Sequence, residues 1–224
     1  MITLHHLEYS QSFRILWLLE ELGVEYSLKM YERDKATHLA PPQYKALSPT
    51  SAAPVITDGE LVLAESNAIM DYVLDQYPSD QLRPPPGSPQ RARYLFWYHA
   101  AQGSMTPVLL MDSIFGIMQK RVPFFLRGII AAVLEKAQHG FVKPRLETLL
   151  RKAEEDLATA PWFGGSALSA ADIVISYPME SAHMRGYLSD AFPHCRAWLE
   201  RIYAYPSFKV AREKDGKPSV ALPL

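Results

Sequence analysis

Cysteine is almost absent from this chain. Cys195 is the single cysteine among 224 residues, so no disulfide can form within the chain, and such usage is typical of a reducing compartment. Because Cys195 lies in a late helical pattern between His194 and Arg196, we expect a structural and inert thiol. The composition therefore predicts a cytoplasmic location.

The chain also lacks a large excess of either sign of charge, and it lacks long apolar runs. Lysine and arginine number 23 against 24 acidic residues, and no basic block stands out, so nucleic acid is not expected as a partner. The longest strongly apolar run, residues 128–134, is far too short to cross a bilayer. The chain begins directly with a strand pattern. These features predict a soluble protein with no membrane partner and, at 48% apolar residues, a sizeable core.

Metal-binding patterns are missing as well. His5 and His6 are adjacent in a strand pattern, so their side chains point to opposite faces and cannot share one ion. No His-Glu-x-x-His or Cys-x-x-Cys motif accompanies them. The sequence therefore predicts no metal.

A proline-rich joint divides the chain. Prolines 78, 84, 85, 86 and 89 cluster with serine and glycine, and such a segment cannot continue a helix and favours an extended linker. We therefore expect one domain over residues 1–78, a linker over 79–89 and a second domain over 90–224.

The two domains differ in pattern. Before the joint, strands and helices alternate, with strands expected at 2–7, 26–31, 54–57 and 60–63 and helices at 12–22, 38–46 and 66–77. After the joint, helical spacing dominates, with helices expected at 91–118, 123–138, 142–158, 169–184 and 191–204. The fold class predicted is a thioredoxin-like α/β domain of order βαβαββα followed by an all-α domain.

The stretch from Ser51 to Tyr72 carries the clearest functional signal. Two short strand patterns meet at Asp58-Gly59, a tight-turn pair, and Glu65-Ser66 then stand at the start of a helical pattern. A helix N-terminus with a hydroxyl and free backbone N–H groups attracts carboxylates. Upstream, Ala53-Pro54 opens the first strand, where proline is tolerated, and a cis bond there would turn the Ala53 backbone toward an extended ligand. The segment predicts a site for a small peptide-like anion.

These residues resemble the glutathione site of the cytosolic glutathione transferases. Ala-Pro-Val-Ile followed by Glu-Ser-Asn-Ala-Ile matches the family's strand-opening cis-proline and Glu/Gln-Ser pair, and the likeness extends over nearly the whole chain. The corner from Glu8 to Arg14 resembles the family's nucleophile-activating turn, and residues 164–173 resemble its buried helix start, with Ser169 and Asp172 as a capping box. A serine-type member of bacterial or fungal character is implied.

The resemblance assigns the chemistry to the first corner. The position of Ser10, four residues before Arg14, implies that its hydroxyl stabilises the thiolate of glutathione, which is the co-substrate. From the residues alone, Ser10 and Ser12 could equally cap the first helix; Ser12 is the alternative donor, and Tyr9 is a further rival. Thiol-reductase relatives carry cysteine in place of Ser10, which disfavours that activity here.

The remaining glutathione contacts are implied by the same resemblance. Ala53 and Pro54 would bind the cysteinyl backbone, and Glu65 and Ser66 the γ-glutamyl end. The lysine that commonly precedes the cis-proline is replaced by Ala52, which predicts weaker binding. A substitute cation could come from His38 or Lys35, ahead of the second helix, or from Lys45 at its end. Each of them could also be an ordinary solvated surface side chain.

The acceptor site and partners are less specified. The resemblance implies that the first long helix of the second domain lines the pocket for a second substrate, a small apolar electrophile or an organic hydroperoxide. The candidate lining residues on this helix are Tyr98, Met105, Met111 and Phe115. Packing in the core would explain the same helical spacing. The resemblance also implies a homodimer through the helices after Glu65 and Gln90. A non-catalytic binding or scaffold protein with the same fold is the competing interpretation.

Overall fold

The N-terminal domain is a four-stranded mixed sheet with helices. The computed structural model describes residues 1–48 and 50–217. Its first elements are β1 (Thr3–Leu7), α1 (Ser12–Leu22), β2 (Ser27–Tyr31), α2 (Pro42–Leu47), β3 (Val55–Asp58), β4 (Leu61–Ala64) and α3 (Ser66–Gln76). The strand order is β2-β1-β3-β4, with β1 parallel to β2 and the other pairs antiparallel. This arrangement confirms the expected thioredoxin-like domain.

The second domain is helical, as expected. Its helices are α4 (Arg91–Ala100), α5 (Thr106–Arg121), α6 (Arg127–Ala137), α7 (Lys143–Thr159), α8 (Ala170–Met184), α9 (Pro193–Ala204) and α10 (Pro206–Asp215). Short π-helical segments join α4 to α5 at Ala101–Met105 and α6 to α7 at Gln138–Val142, and a 3-10 turn at Phe124–Leu126 precedes α6. Residues 218–224 of the expected helical domain lie outside the described residues.

Three expectations about the helices need correction. The helix predicted at 38–46 begins only at Pro42, because Pro41 disfavours helical geometry in the residue before it and Pro42 suits a first helical position. The long helix predicted at 91–118 contains the π-helical segment. Helix α10 was not predicted. Only one residue, Tyr205, separates it from α9, and only three of its ten residues are buried, so its apolar pattern is weak.

The core is shared between the domains. Helix α1 is buried on almost every side and packs against α8 and α10 as well as against β1 and α3. Phe208 of α10 makes edge contacts with the rings of Phe13 and Trp17. The expected capping box at α8 is present, with the Ser169 N–H donating to Asp172 at 3.0 Å. Helix α10 is thus packed against α1, which directly follows the connection that carries Ser10.

No helix among the described residues combines the length and the apolar character needed to cross a bilayer.

Candidate functional site

The connection between β1 and α1 carries both candidate serines. Ser10 lies within it, and Ser12 is the first residue of α1. The side chain of Ser10 is 6% exposed and lines a cavity of about 290 Å³ together with Tyr9, Gln11 and Ala53. We call this cavity the cleft. Ser10 is therefore placed where its hydroxyl can meet a ligand.

Ser12 lies behind Ser10 and away from the cleft. It is fully buried and is not among the residues that line the cavity. Its Oγ accepts the backbone N–H of Leu7 at 3.2 Å and lies 3.0 Å from Nδ1 of His6 and 2.7 Å from Oγ of Ser10. Ser10 Oγ in turn accepts the Ser12 N–H at 3.2 Å. Ser10 thus faces the cleft and also satisfies one backbone donor at the start of α1.

A buried arginine joins this corner to the start of α3 and to the second domain. Arg14 is fully buried, and its guanidinium donates to the Val174 carbonyl at 2.9 Å, to Gln102 at 3.1 Å and to Ser66 Oγ at 2.8 Å. It also donates to the side-chain oxygen of Gln11. Burial lowers the pKa of Arg14 to about 10, so the group still carries its charge at neutral pH. We call Arg14, Gln11, Gln102 and Ser66 the arginine cluster.

The start of α3 lies at the arginine cluster. Ser66 is buried, whereas Glu65 is exposed and adopts a positive φ of 75°, which residues with side chains rarely adopt. The charge of Glu65 acts to raise the pKa of Arg14 against the effect of burial. Neither residue lines the cleft itself. They are connected to it through Arg14 and Gln11, which does line it.

The opposite side of the cleft is open. The peptide bond between Ala53 and Pro54 is cis, as the sequence pattern suggested. Ser51 and Ala52 are exposed, Ala53 is half-buried, and all three line the cleft together with Lys45. We call Lys45, Ser51, Ala52 and Ala53 the open rim.

Of the three candidate cations, the structure brings only Lys45 to the cleft. Lys35 and His38 are exposed and do not line the cavity. His38 has a positive φ of 58°, and its carbonyl accepts a hydrogen bond from Arg33 at 3.0 Å. The placement expected for His38 therefore needs correction: its backbone supports Arg33, and its side chain lies apart from the cleft.

Arg33 is a cleft residue that the sequence analysis missed. It follows β2, and its guanidinium donates to the carbonyls of Glu8 at 3.0 Å and Tyr9 at 3.2 Å. Because β1 and β2 are parallel, their carboxyl ends meet at one edge of the sheet, and this rule could have placed Arg33 beside Ser10. Arg33 holds the connection that carries Ser10.

A second cavity adjoins the cleft. It measures about 230 Å³, and Tyr9, Gln11, Arg33 and Tyr177 line both spaces. The other residues that line it come from α5, from α8 and from the residue that follows α8; they are Thr106, Leu109, Leu110, Ser113, Pro178, Ser181 and Arg185. A molecule held there would lie beside a ligand in the cleft. We call this space the acceptor cavity.

None of the four expected acceptor residues lines the acceptor cavity. Tyr98 is buried, and its hydroxyl oxygen lies 3.0 Å from both Asp71 Oδ1 and the Asn67 carbonyl, to either of which its single hydrogen can be donated. Met105 is a core residue, Phe115 packs against the core, and Met111 lines a separate groove. The side chains of α5 that line this cavity are instead Thr106, Leu109, Leu110 and Ser113, which follow the π-helical segment.

A larger space lies away from this chemistry. It measures about 610 Å³ and is formed by α3, the proline-rich linker and α4, including Asp75, Arg83 and Tyr94. Its lining is distinct from that of the cleft and the acceptor cavity. Size alone therefore does not identify the site.

Cys195 and the two histidines lie outside the cleft. Cys195 is buried, and burial raises the pKa of its thiol, which disfavours the reactive thiolate. His5 lies against Tyr31 and Thr57, whereas His6 lies against Ser12 and Asp215. The cytoplasmic location inferred from the lone cysteine stays a prediction.

Comparisons with known sequences identify one family for both domains of the chain. The sequence model for the glutathione S-transferase N-terminal domain matches residues 1–75, and that for the C-terminal domain matches residues 129–201. Glutathione S-transferase 3 of Schizosaccharomyces pombe is 29% identical over 215 residues, covering 96% of this chain and 88% of that protein.

Solved structures give the same result. A glutathione S-transferase from Actinobacillus pleuropneumoniae is similar with 30% identity and a TM-score of 0.77, covering 96% of this chain and 93% of that one. A theta class glutathione S-transferase from Xanthomonas axonopodis pv. citri, solved with glutathione bound, is 26% identical with a TM-score of 0.66, covering 94% and 96% of the two chains. Both similarities extend across the two domains.

Proposed function

This chain belongs to the cytosolic glutathione S-transferase family, and we propose that Ser10 activates the thiol of glutathione bound in its cleft. The thiolate would then attack a small electrophile or an organic hydroperoxide in the acceptor cavity. The observation that carries this proposal is the position of Ser10, which lines the cleft, whereas Ser12 is fully buried and does not.

The energy of one hydrogen bond is sufficient for this role. A free thiol has a pKa of about 8.5, so only a few per cent is thiolate at neutral pH. A hydrogen bond to a charged group contributes about 1.5 to 3 kcal/mol, and one pKa unit corresponds to about 1.36 kcal/mol. If Ser10 donates to the thiolate, the pKa of the bound thiol falls by about one to two units. The thiol proton leaves to solvent.

The middle of glutathione would pair with the backbone beside Pro54. Ala53 lines the cleft directly before β3 and is half-buried. β3 is an interior strand of the sheet, so a peptide ligand would pair with the backbone of Ala53, just before the strand begins, by main-chain hydrogen bonds like those of strand addition. This pairing would fix the cysteinyl sulfur near Ser10.

The γ-glutamyl end would lie at the start of α3. Ser66 Oγ accepts a hydrogen bond from Arg14, so its own hydrogen is available to donate to the ligand carboxylate. The N-terminus of α3 adds partial positive charge, and exposed Glu65 can meet the ligand ammonium. The arginine cluster thus supports the γ-glutamyl contacts from behind.

The glycyl carboxylate would lie at the open rim. Ala52 provides no charge there, and Lys45 is the lysine that lines this part of the cleft. Because Lys45 is exposed, its attraction for the carboxylate is screened by water and salt. We expect glutathione to bind more weakly than in relatives with a lysine at the position of Ala52.

The acceptor cavity suits a small molecule of mixed character. Leu109, Leu110 and the ring of Tyr9 offer apolar contacts, while Arg33 and Arg185 also line the space. In conjugation, the sulfur lone pair forms a C–S bond as the leaving group departs with its electron pair. In peroxide reduction, the thiolate breaks the O–O bond and releases an alcohol after protonation, and a second glutathione converts the sulfenic acid to disulfide and water.

A homodimer is part of this proposal. Exposed apolar side chains lie on β4, after α3 and on α4; they are Leu61, Val62, Tyr77, Leu95 and Phe96. These positions agree with an interface through the helices after Glu65 and Gln90. Gel filtration is expected to show about twice the chain mass of 25.3 kDa, and elution at the monomer mass would contradict it.

Turnover of a chloronitroaromatic probe tests the catalytic proposal. We expect Ser10→Ala to lower kcat/KM by about 10- to 100-fold, the equivalent of one charge-assisted hydrogen bond. Ser166→Ala is the matched control, because Ser166 is exposed outside the cleft. Equal kcat/KM values for wild type and Ser10→Ala would contradict the role of Ser10.

A further inference from the structure

A buried chain of hydrogen bonds leads from Ser10 into the protein. Ser10 Oγ lies 2.7 Å from Ser12 Oγ, Ser12 Oγ lies 3.0 Å from His6 Nδ1, and His6 Nε2 lies 2.8 Å from Asp215 Oδ1. All four residues are at most 6% exposed. The side chain that faces the cleft is thus connected to the end of α10.

Asp215 determines which nitrogen of His6 carries a hydrogen. A carboxylate only accepts hydrogen bonds, so Nε2 of His6 must donate to Asp215. The second oxygen of Asp215 accepts from Arg212 at 3.3 Å, and Arg212 also pairs with Glu180 of α8 at 3.2 Å. Asp215 is therefore held in place from two sides.

The remaining nitrogen sets the direction of the next bonds. With His6 neutral, Nδ1 accepts the hydrogen of Ser12, and Ser12 Oγ can accept the hydrogen of Ser10. With His6 protonated, Nδ1–H and the Leu7 N–H at 3.2 Å occupy both lone pairs of Ser12 Oγ. Ser12 must then donate its own hydrogen, to Ser10 Oγ at 2.7 Å or to the Leu7 carbonyl at 3.1 Å.

We propose that His6, oriented by Asp215, is a positioning residue that controls whether the Ser10 hydrogen is free for the glutathione thiolate. Protonated His6 makes Ser12 a donor, so Ser12 no longer competes for that hydrogen. Neutral His6 makes Ser12 an acceptor that competes with the thiolate. This inference rests on the proposed role of Ser10.

Other groups do not reverse this argument. The Leu7 carbonyl lies 2.7 Å from Ser10 Oγ and competes for its hydrogen in both states of His6. Among the described residues, His6 pairs with Asp215 of α10, and Asp215 is joined through Arg212 to Glu180 of α8. Ser10 and Ser12, on the cleft side, do not titrate in the relevant range.

The test is a pH titration of the ultraviolet thiolate signal in the glutathione complex. In wild type, thiolate formation is expected to follow a curve broader than a single one-proton transition, because proton loss from His6 makes Ser12 compete with the thiolate for the Ser10 hydrogen. Asp215→Asn is expected to raise the pKa of the bound thiol by about 0.5 to 1 unit, which is about three- to tenfold less thiolate below that pKa. Glu213→Gln, at an exposed site on α10, is the control expected to match wild type.

Ser12→Ala provides a second variant if Asp215→Asn does not fold. It removes the connection between His6 and Ser10, so its thiolate curve is expected to become a single one-proton transition. The ring nitrogen NMR shifts of His6, recorded over the same pH range, then show whether His6 titrates without affecting the thiolate. A broad curve retained in Ser12→Ala would overturn the inference.

The two variants distinguish a failure of the His6 inference from a failure of the proposed role of Ser10. If Ser10→Ala leaves the thiolate signal unchanged, the role of Ser10 fails and the connected residues have nothing to control. If Ser10→Ala removes the signal but Asp215→Asn behaves as wild type, the role of Ser10 stands and the positioning role of His6 is overturned.

Discussion

The two sides of the cleft are built differently. On the inner side, Ser10 and the arginine cluster are held by buried hydrogen bonds that reach α3, α8 and the π-helical segment. On the other side, the open rim consists of exposed or half-buried residues, and Lys45 provides its charge. The proposed chemistry lies on the inner side, where displacing one buried group would leave its hydrogen-bond partners unsatisfied.

This difference separates the expected effects of substitutions on the two sides of the cleft. Buried polar groups act in a low dielectric and leave unsatisfied partners when they are removed, so their loss has large effects. Exposed charges are screened, and their effects are typically below about 1 kcal/mol. The comparison predicts steep effects for substitutions on the inner side and shallow effects at the open rim.

The largest effect is expected for stability at Arg14. Arg14→Lys keeps a charge but loses the planar fork that meets Val174, Gln102 and Ser66. We expect the free energy of unfolding to fall by about 2 to 3 kcal/mol in urea titrations. Arg121→Lys, at an exposed site, is the control. A loss below about 0.5 kcal/mol would show that the inner side is not held by this cluster.

The next effect concerns binding at Ser66. Ser66→Ala removes a hydroxyl proposed to donate to the γ-glutamyl carboxylate and leaves an Arg14 N–H without its acceptor. Calorimetry is expected to show about tenfold weaker glutathione binding, the equivalent of about 1.4 kcal/mol. Ser79→Ala in the linker is the control. Unchanged affinity for glutathione in the Ser66 variant would contradict the binding of the γ-glutamyl end at the start of α3.

A smaller gain is expected at the open rim. Ala52→Lys adds a cation beside the expected glycyl carboxylate, and an exposed pair of this kind contributes about 0.2 to 1 kcal/mol. The Kd for glutathione should therefore fall by up to about fivefold, and the gain should shrink with added salt. Ala52→Gln, which adds length without charge, is the control. A Kd that does not change would refute the weakness assigned to Ala52.

The smallest effect is expected for acid stability at Glu8. Burial acts to raise the pKa of this carboxyl, but hydrogen bonds from Lys217 and the Arg33 N–H outweigh it and hold the pKa below the ordinary value of 4.5. A lowered carboxyl pKa stabilises the folded protein above the unfolded value, and this stability is lost as the pH falls through the folded value.

Glu8→Gln should therefore reduce the loss of stability on acidification below about pH 4.5. Denaturant unfolding at neutral and acid pH measures the difference, with Glu213→Gln as the control. An identical loss in wild type and Glu8→Gln would show that this pair does not contribute.

The sequence predicts the fold well because local signals agree with it. The turn at Gly59, the stop at Gly23 and the capping box at Ser169 each act within a few residues. The order of strands and helices follows from such signals. The start of α2 at Pro42 also follows from a local signal, the pair Pro41 and Pro42, which the predicted range 38–46 did not use. The π-helical segment lies within a pattern whose spacing predicts one continuous helix, so it was not predicted.

The site divides in the same way. The motif residues Ser10, Ala53, Glu65 and Ser66 were assigned from their resemblance to the family's motifs, because the residues alone left Ser10 and Ser12 open. Gln102 and Leu109 reach the site through the packing of the second domain's helices, which one sequence does not display. Arg33 reaches it because the ends of two parallel strands meet, a rule that could have been applied to the predicted strands. The acceptor wall was placed on Tyr98 and its neighbours because helical spacing identifies one face but not the neighbour that the face contacts.

The ultraviolet thiolate signal of the glutathione complex near neutral pH, compared between wild type and Ser10→Ala, tests the central claim most directly. The account predicts that wild type binds glutathione as a thiolate and that Ser10→Ala binds it with the signal lost. A thiolate signal of equal size in Ser10→Ala would contradict the claim that Ser10 activates the thiol.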